Sequence, residues 1–174
     1  MFGGILVPLD GSDAAAEAVP VAAEVARRFG GRILLLEVIG RLMDWHRTLP
    51  TPTDGAGTAD LEERVAHAAR TQLLRVAATI HGVPVDVDVR LGRAVDEILA
   101  AATDTGCELI CLAAHGHGRT ARHGPDRHHA VHFMLGAITE RIVHSSPVPV
   151  LVVRPAASVP AAARAATAVG THPV

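Results

Sequence analysis

The chain has 174 residues, 49% of them hydrophobic and 20% charged, with a formal net charge of -2. That is chain enough for one domain with a core, and it gives no electrostatic reason to expect nucleic acid or an anionic membrane as a general partner. All 16 basic residues are Arg; without Lys, a P-loop NTPase and a Schiff-base enzyme are both excluded.

No apolar run approaches the roughly 20 residues of a membrane helix. The first residues carry no basic region ahead of an apolar stretch, so no secretory leader is expected and the cytosol is the expected location. Cys107 and Cys111 stand four apart, about 13 Å along a strand, which is too far for a disulfide. They read as two reduced, small hydrophobic residues.

Residues 4–10 (GILVPLD) are an apolar run leading into Gly11, Ser12 and Asp13. This predicts a strand feeding directly into a helix, with Ser12 as N-cap and Asp13 favourably placed against the helix dipole. One helix is expected to about Phe29, with Ala18, Ala22, Val25 and Phe29 on its inner face, and Gly30 and Gly31 stop it. Residues 32–39 (RILLLEVI) are nearly all apolar, as in a parallel strand buried on both faces. Residues 40–58 contain Pro50, Pro52, Gly55, Gly57 and the single tryptophan, Trp45, and read as a surface loop.

From 59 to 81, Leu61, Val65, Ala69, Leu73, Val76 and Ile80 keep a helical period. Residues 85–91 (VDVDVRL) alternate strictly, which predicts a half-exposed strand at or near a sheet edge. Gly92 turns the chain into a helix over 93–105 with Val95, Ile98, Leu99 and Ala102 inward. Residues 109–116 (LICLAAHG) end an apolar run in a small-residue turn carrying His115. A buried parallel strand that opens into a ligand site reads this way. Residues 117–133 are polar, contain glycine and are rich in His and Arg. A helix is expected from about Met134, with Leu135, Ile138, Ile142 and Val143 as its stripe, followed by a last strand over 148–153 whose Pro149 marks an edge position.

Residues 1–155 thus form the domain, and 156–174 form an Ala- and Pro-rich tail expected to be disordered. The alternation of strands and helices predicts an α/β fold: a five-stranded, parallel, doubly wound, Rossmann-like sheet with helices on both faces. Its crevice should lie beyond the C-terminal ends of the first and fourth strands.

The chain resembles the universal stress protein family. Four stretches carry the resemblance: residues 5–12 (ILVPLDGS), Gly92 after the alternating strand, residues 109–116, and residues 135–153 (LGAITERIVHSSPVPVLVV). The last two, in this order, are the specific ones. The resemblance implies a homodimer formed through the strand 148–153 and, in one branch, a bound adenine nucleotide, ATP or AMP, with Mg²⁺. That branch is marked by a glycine, two residues, a glycine, nine residues, then Gly-Ser or Gly-Thr. Here Ala113 stands for the first glycine, Gly116 for the second and Gly136-Ala137 for the final pair, with nineteen residues between Gly116 and Gly136. The glycines let phosphates approach the backbone, and a helix N-terminus offers free N–H groups. Ala137 loses a hydroxyl, and Ala113 adds a methyl group. Arg119, Arg122 and Arg127 of the insertion could replace phosphate contacts, or the insertion could close the crevice. The candidate nucleotide-binding set carried over from the family is Pro8, Asp10, Val38, Ala113, His115, Gly116, Arg119, Gly136, Ala137 and Ile138.

Two readings compete. The first is a stress-response binding or regulatory protein holding an adenine nucleotide, with slow or no turnover because no general base or metal set is visible. The second is a dimeric member that binds no nucleotide, whose inserted His/Arg loop meets a protein partner, an anion or a metal. For a metal, His128 and His132 would share a helical face. A triad-like set of Ser12, His115 and Asp10 would serve hydrolysis, but Ser12 lacks the Gly-x-Ser-x-Gly elbow. Asp10 has a structural alternative too, capping the first helix together with Ser12.

Overall fold

Strands rich in Leu, Ile and Val assemble into one parallel sheet because each is followed by a helix that carries the chain back across a face. The computed structural model describes residues 2–40, 58–114 and 135–154. In chain order these are β1 (Gly4–Leu9), α1 (Asp13–Ala16), α2 (Ala18–Phe29), β2 (Arg32–Ile39), α3 (Thr58–Ala77), β3 (Val85–Leu91), α4 (Ala94–Asp104), β4 (Leu109–Ala113), α5 (Ala137–Ser145) and β5 (Val150–Val153). The strand order is β3-β2-β1-β4-β5, all parallel. The chain winds outward from β1 in one direction through β2 and β3, then in the other through β4 and β5. The order therefore reverses between β1 and β4, as the sequence predicts, and the alternating strand β3 lies at one edge.

The pleat divides the core in two. On one face Ile5, Val7, Leu9, Ile33, Leu35, Leu109 and Cys111 meet the alanine-rich side of α2 and Leu73 of α3. Ala18, Ala22, Ala23 and Ala26 are small enough to bring α2 close to the sheet. On the other face Leu6, Leu36, Ile110 and Leu112 meet Val95, Ile98, Ala101 and Ala102 of α4 and Ile142 of α5. Among the described residues no helix is long and apolar enough to cross a membrane. Both cysteines are free and buried, as expected, and burial pushes the Cys111 thiol up to about 12.

Several expected boundaries and faces shift. The first helix is two helices, because Pro20 lacks an N–H and its ring crowds the carbonyl of Ala16, where α1 ends. Phe29 points outward and is 51% exposed, with its ring edge-to-face on Phe2 at 5.4 Å. Val65 and Val143 are likewise exposed rather than part of an inner stripe. The third helix ends at Ala77, four residues short of expectation, and the last strand begins at Val150 after Pro149. The last helix starts at Ala137 rather than near Met134, with Gly136 as its N-cap. Trp45, most of the loop 40–58, the insertion 117–133 and the tail 156–174 lie outside the described residues.

Candidate functional site

β1 ends at Leu9, and Asp10, Gly11 and Ser12 make the turn into α1. Ser12 Oγ donates to Asp10 Oδ1 at 2.6 Å and accepts from Ala15 N–H at 3.0 Å, while Ser12 N–H also donates to Asp10 Oδ1 at 3.0 Å. The capping role expected of Ser12 is therefore present, and Asp10 holds that cap. The hydroxyl proton of Ser12 is committed to a carboxylate rather than to an imidazole base, so the residue is placed as a cap and not as a nucleophile. Gly11 takes φ +76, which a glycine supplies without strain, and Gln72 of α3 lies close above it.

The neighbouring strand β4 ends at Ala113 and Ala114, both buried. The chain returns at Leu135 and Gly136. Gly136 N–H donates to the Ala114 carbonyl at 2.8 Å, and Thr139 Oγ1 donates to the Ala113 carbonyl at 3.0 Å. These two bonds fasten the N-terminus of α5 to the end of β4. Gly136 provides no side-chain cap, and the N–H groups of Ala137 and Ile138 have no hydrogen-bond partner among the described residues. They are donors at the positive end of a helix dipole. Ala137 and Ile138 are exposed there.

The β2 side completes the crevice. β1 and β2 run in register, with Pro8 opposite Leu36 and Leu9 opposite Glu37, so Asp10 stands at the level of Val38. Pro8 and Val38 are half-buried, and Val38 packs on the second core cluster. Of the predicted set, Pro8, Asp10 and Val38 thus gather at the ends of β1 and β2, while Ala113, Gly136, Ala137 and Ile138 gather at the junction of β4 and α5. His115, Gly116 and Arg119 lie outside the described residues, as do Arg122, Arg127 and the metal candidates His128 and His132. Among the described residues no group of three His, Cys, Asp or Glu side chains could hold a metal.

Sequence reading missed two residues. Thr139 is the one buried polar side chain among the described residues. Its signal was faint, a hydroxyl on the inner side of a helix start. Glu37 is half-buried at the end of β2, and its signal was plain: a carboxylate near the end of an otherwise apolar strand interior. Burial raises its pKa above the ordinary carboxylate range, and the negative charge of Asp10 raises it further.

A parallel sheet in this strand order, with a capped turn after β1 and a helix start without a side-chain cap after β4, defines a doubly wound α/β protein with a switch point between β1 and β4. The match to known proteins makes this specific. Residues 1–154 match the universal stress protein family, and the chain belongs to it. The universal stress protein in the QAH/OAS sulfhydrylase 3′ region of Thermus aquaticus is 31% identical over 159 residues, covering 88% of this chain and all of that one. UspA from Lactobacillus plantarum is 26% identical, with a TM-score of 0.66 over 88% of this chain and 98% of its own. A universal stress protein solved in complex with cAMP shares 15% identity and a TM-score of 0.58, over 88% of this chain and 97% of its own.

Proposed function

We propose that this chain is a nucleotide-binding stress protein that holds an adenine nucleotide in the crevice between β1 and β4. The observation that carries this reading is the pair of N–H groups, of Ala137 and Ile138, that have no hydrogen-bond partner among the described residues at the N-terminus of α5. They face the crevice end where anionic oxygens gain both hydrogen bonds and dipole stabilisation. The nucleoside end would lie toward Asp10, Pro8 and Val38, the side that supplies acceptors and apolar surface. A family member solved with cAMP supports a nucleotide as the ligand class. AMP and Mg²⁺-ATP are the ligands to test, with a cytoplasmic, homodimeric protein as the setting. Slow or no turnover is the expectation for such a binding protein.

The test is isothermal titration of the metal-free protein with AMP, and with ATP plus Mg²⁺. Micromolar binding that Ala137→Ser strengthens is the expected result, because the added hydroxyl at the helix start offers one more donor to a phosphate, worth roughly 1.5–3 kcal/mol to a charged group. Absence of binding by both nucleotides at millimolar concentration rejects the reading. It would favour a dimeric protein that uses its His/Arg insertion, a reading that Ala113 and Ala137 favour, because they replace the small and hydroxyl residues of the nucleotide-holding branch.

A further inference from the structure

The two faces of β3 are covered unequally. α3 lies over the face of Val85, Val87 and Val89. On the other face α4 packs on β1 and β2 and reaches β3 through the ion pairs of Arg90. Among the described residues this leaves an open strip of sheet between β3 and α4. Register places Leu34 beside Asp86 and Leu36 beside Asp88 on this face. Leu36 is buried, but Leu34 is only half-buried and Asp86 is exposed. A groove of about 450 Å³ follows the strip, lined by Arg32, Leu34, Asp86, Asp88, Asp104 and Thr105. The strip is acidic. Asp88, Glu97 and Asp104 surround one guanidinium, that of Arg90, at 3.0, 3.9 and 3.0 Å, and Asp86 forms no ion pair among the described residues. Arg32 is the second cation, and it donates to the Thr105 carbonyl at 3.2 Å. Four carboxylates therefore share two guanidiniums. α4 ends here as well, with Asp104 but no basic residue in its last turn, so the negative end of its dipole adds to the charge instead of being offset.

We propose that this strip docks a basic, extended segment of a partner protein, with an Arg or Lys side chain laid over Leu34 and its charged head on Asp86. Charge complementarity selects that occupant. The open carboxylate and the C-terminal end of α4 favour a cation. The half-buried Leu34 suits the methylene stem of a long basic side chain, which covers apolar surface while its head stays in water. The same charges repel a nucleic acid or an anionic membrane. The contact uses the face of β3 and leaves the hydrogen-bonding groups of its edge alone. It is also separate from the crevice. Gly4 and Arg32, the first residues of β1 and β2, line the groove, whereas the crevice lies beyond the last residues of the strands. A partner seated here would leave the nucleotide site open.

The experiment is fluorescence anisotropy of a labelled octapeptide of alternating Ala and Arg, titrated with the full chain at about 0.15 M salt, where the screening length is about 8 Å. An octapeptide of alternating Ala and Glu, and spermine, serve as competitors. Micromolar binding of the basic peptide is expected, with no displacement by the acidic one. Asp86→Arg turns an attraction into a repulsion and should weaken binding at least about tenfold. Asp86→Asn keeps the shape and should weaken it about twofold to fivefold, the scale of one exposed pair. Asp86 has no ion pair to lose among the described residues, so both variants should melt close to the wild type; if Asp86→Arg does not, Asp86→Asn carries the test. Glu63→Arg makes the same change of charge at an exposed position on α3 and should leave the affinity within about twofold. No binding of the basic peptide at millimolar protein overturns the proposal. So does an equal loss in Glu63→Arg, because the attraction then belongs to the net charge of the protein. Spermine that displaces the peptide at equal or lower concentration would assign the groove to a small polyamine, and a change of assembly mass in Asp86→Arg by light scattering would assign it to a second copy of the chain; either result overturns the partner-protein reading.

Discussion

Ser12 donates its hydroxyl proton to Asp10 and accepts the Ala15 N–H, so one turn both starts a helix and aims a carboxylate past the end of β1. Thr139 does the equivalent work across the crevice. Its hydroxyl reaches the Ala113 carbonyl from inside the protein, and Thr139→Val keeps the shape while leaving that buried acceptor one partner short. We expect Thr139→Val to destabilise the fold by about 1–3 kcal/mol in urea unfolding and to weaken AMP binding in parallel, because the start of α5 loses a tether. Glu37 gives a pH signature. Its folded-state pKa is raised above the ordinary glutamate value, so the folded protein holds this proton more tightly than the unfolded chain. Its contribution is therefore full at low pH and is lost as pH rises through the raised value. Glu37→Gln should raise the thermal midpoint at pH 8 and leave it nearly unchanged at pH 4; a gain confined to pH 4 would refute the assignment. These two residues also mark where sequence reading ran short. Asp10, Val38 and Gly136 were legible because turn and strand-end chemistry is local. Glu37 was visible but is given meaning only by its register with Leu9, and Thr139 only by a hydrogen bond spanning 26 positions.

Helices and strands were legible where one physical cause dominated. The alternation of 85–91 placed β3 at an edge, and the apolar runs placed β1, β2 and β4 inside. Helix ends were less so, because capping and packing compete there. Pro20 broke the first helix at Ala16, and Phe29, on the expected inner face, was carried out to pair with Phe2. That pairing belongs to a junction where α2 ends and β2 begins beside the chain's first residues. Gly30 caps α2 in the left-handed region at φ +64, with open space around it, and Gly31 packs against the chain before β1. A Cβ on Gly31 would overlap the Phe2 carbonyl oxygen, a backbone atom. The same segment is held by the Arg32 N–H to Gly3 carbonyl bond at 3.0 Å, which sets the first rung between β1 and β2. Gly30→Ala should cost about 1 kcal/mol from backbone strain alone. Gly31→Ala should cost about 1–3 kcal/mol from overpacking and shift the start of β1. Urea midpoints for the two variants order them, and a Gly31→Ala protein as stable as wild type would show that the first residues move aside freely.

At the scale of the whole molecule the two sheet edges are unlike. β3 carries Asp86, Asp88 and Arg90 on one face, and Arg90 reaches both Asp88 and Asp104 at 3.0 Å, tying the edge to α4. Alternating charge of this kind discourages another strand from adding on. β5 is Val-Leu-Val-Val with no charge between Pro149 and Arg154, and each of its four residues remains half-buried in a single chain. An apolar, uncharged edge is the surface on which a second copy can pair without desolvating charge, so the asymmetry itself favours assembly through β5 rather than β3. We expect the protein to run at twice its 18.1 kDa chain mass in light scattering after size exclusion. Val152→Lys, which places a charge in the middle of the apolar edge, should give the mass of a single chain with an unchanged far-ultraviolet dichroism spectrum. Val89→Lys on the opposite edge should leave the dimer intact. A dimer that survives Val152→Lys, or one that Val89→Lys dissociates, would place the contact elsewhere.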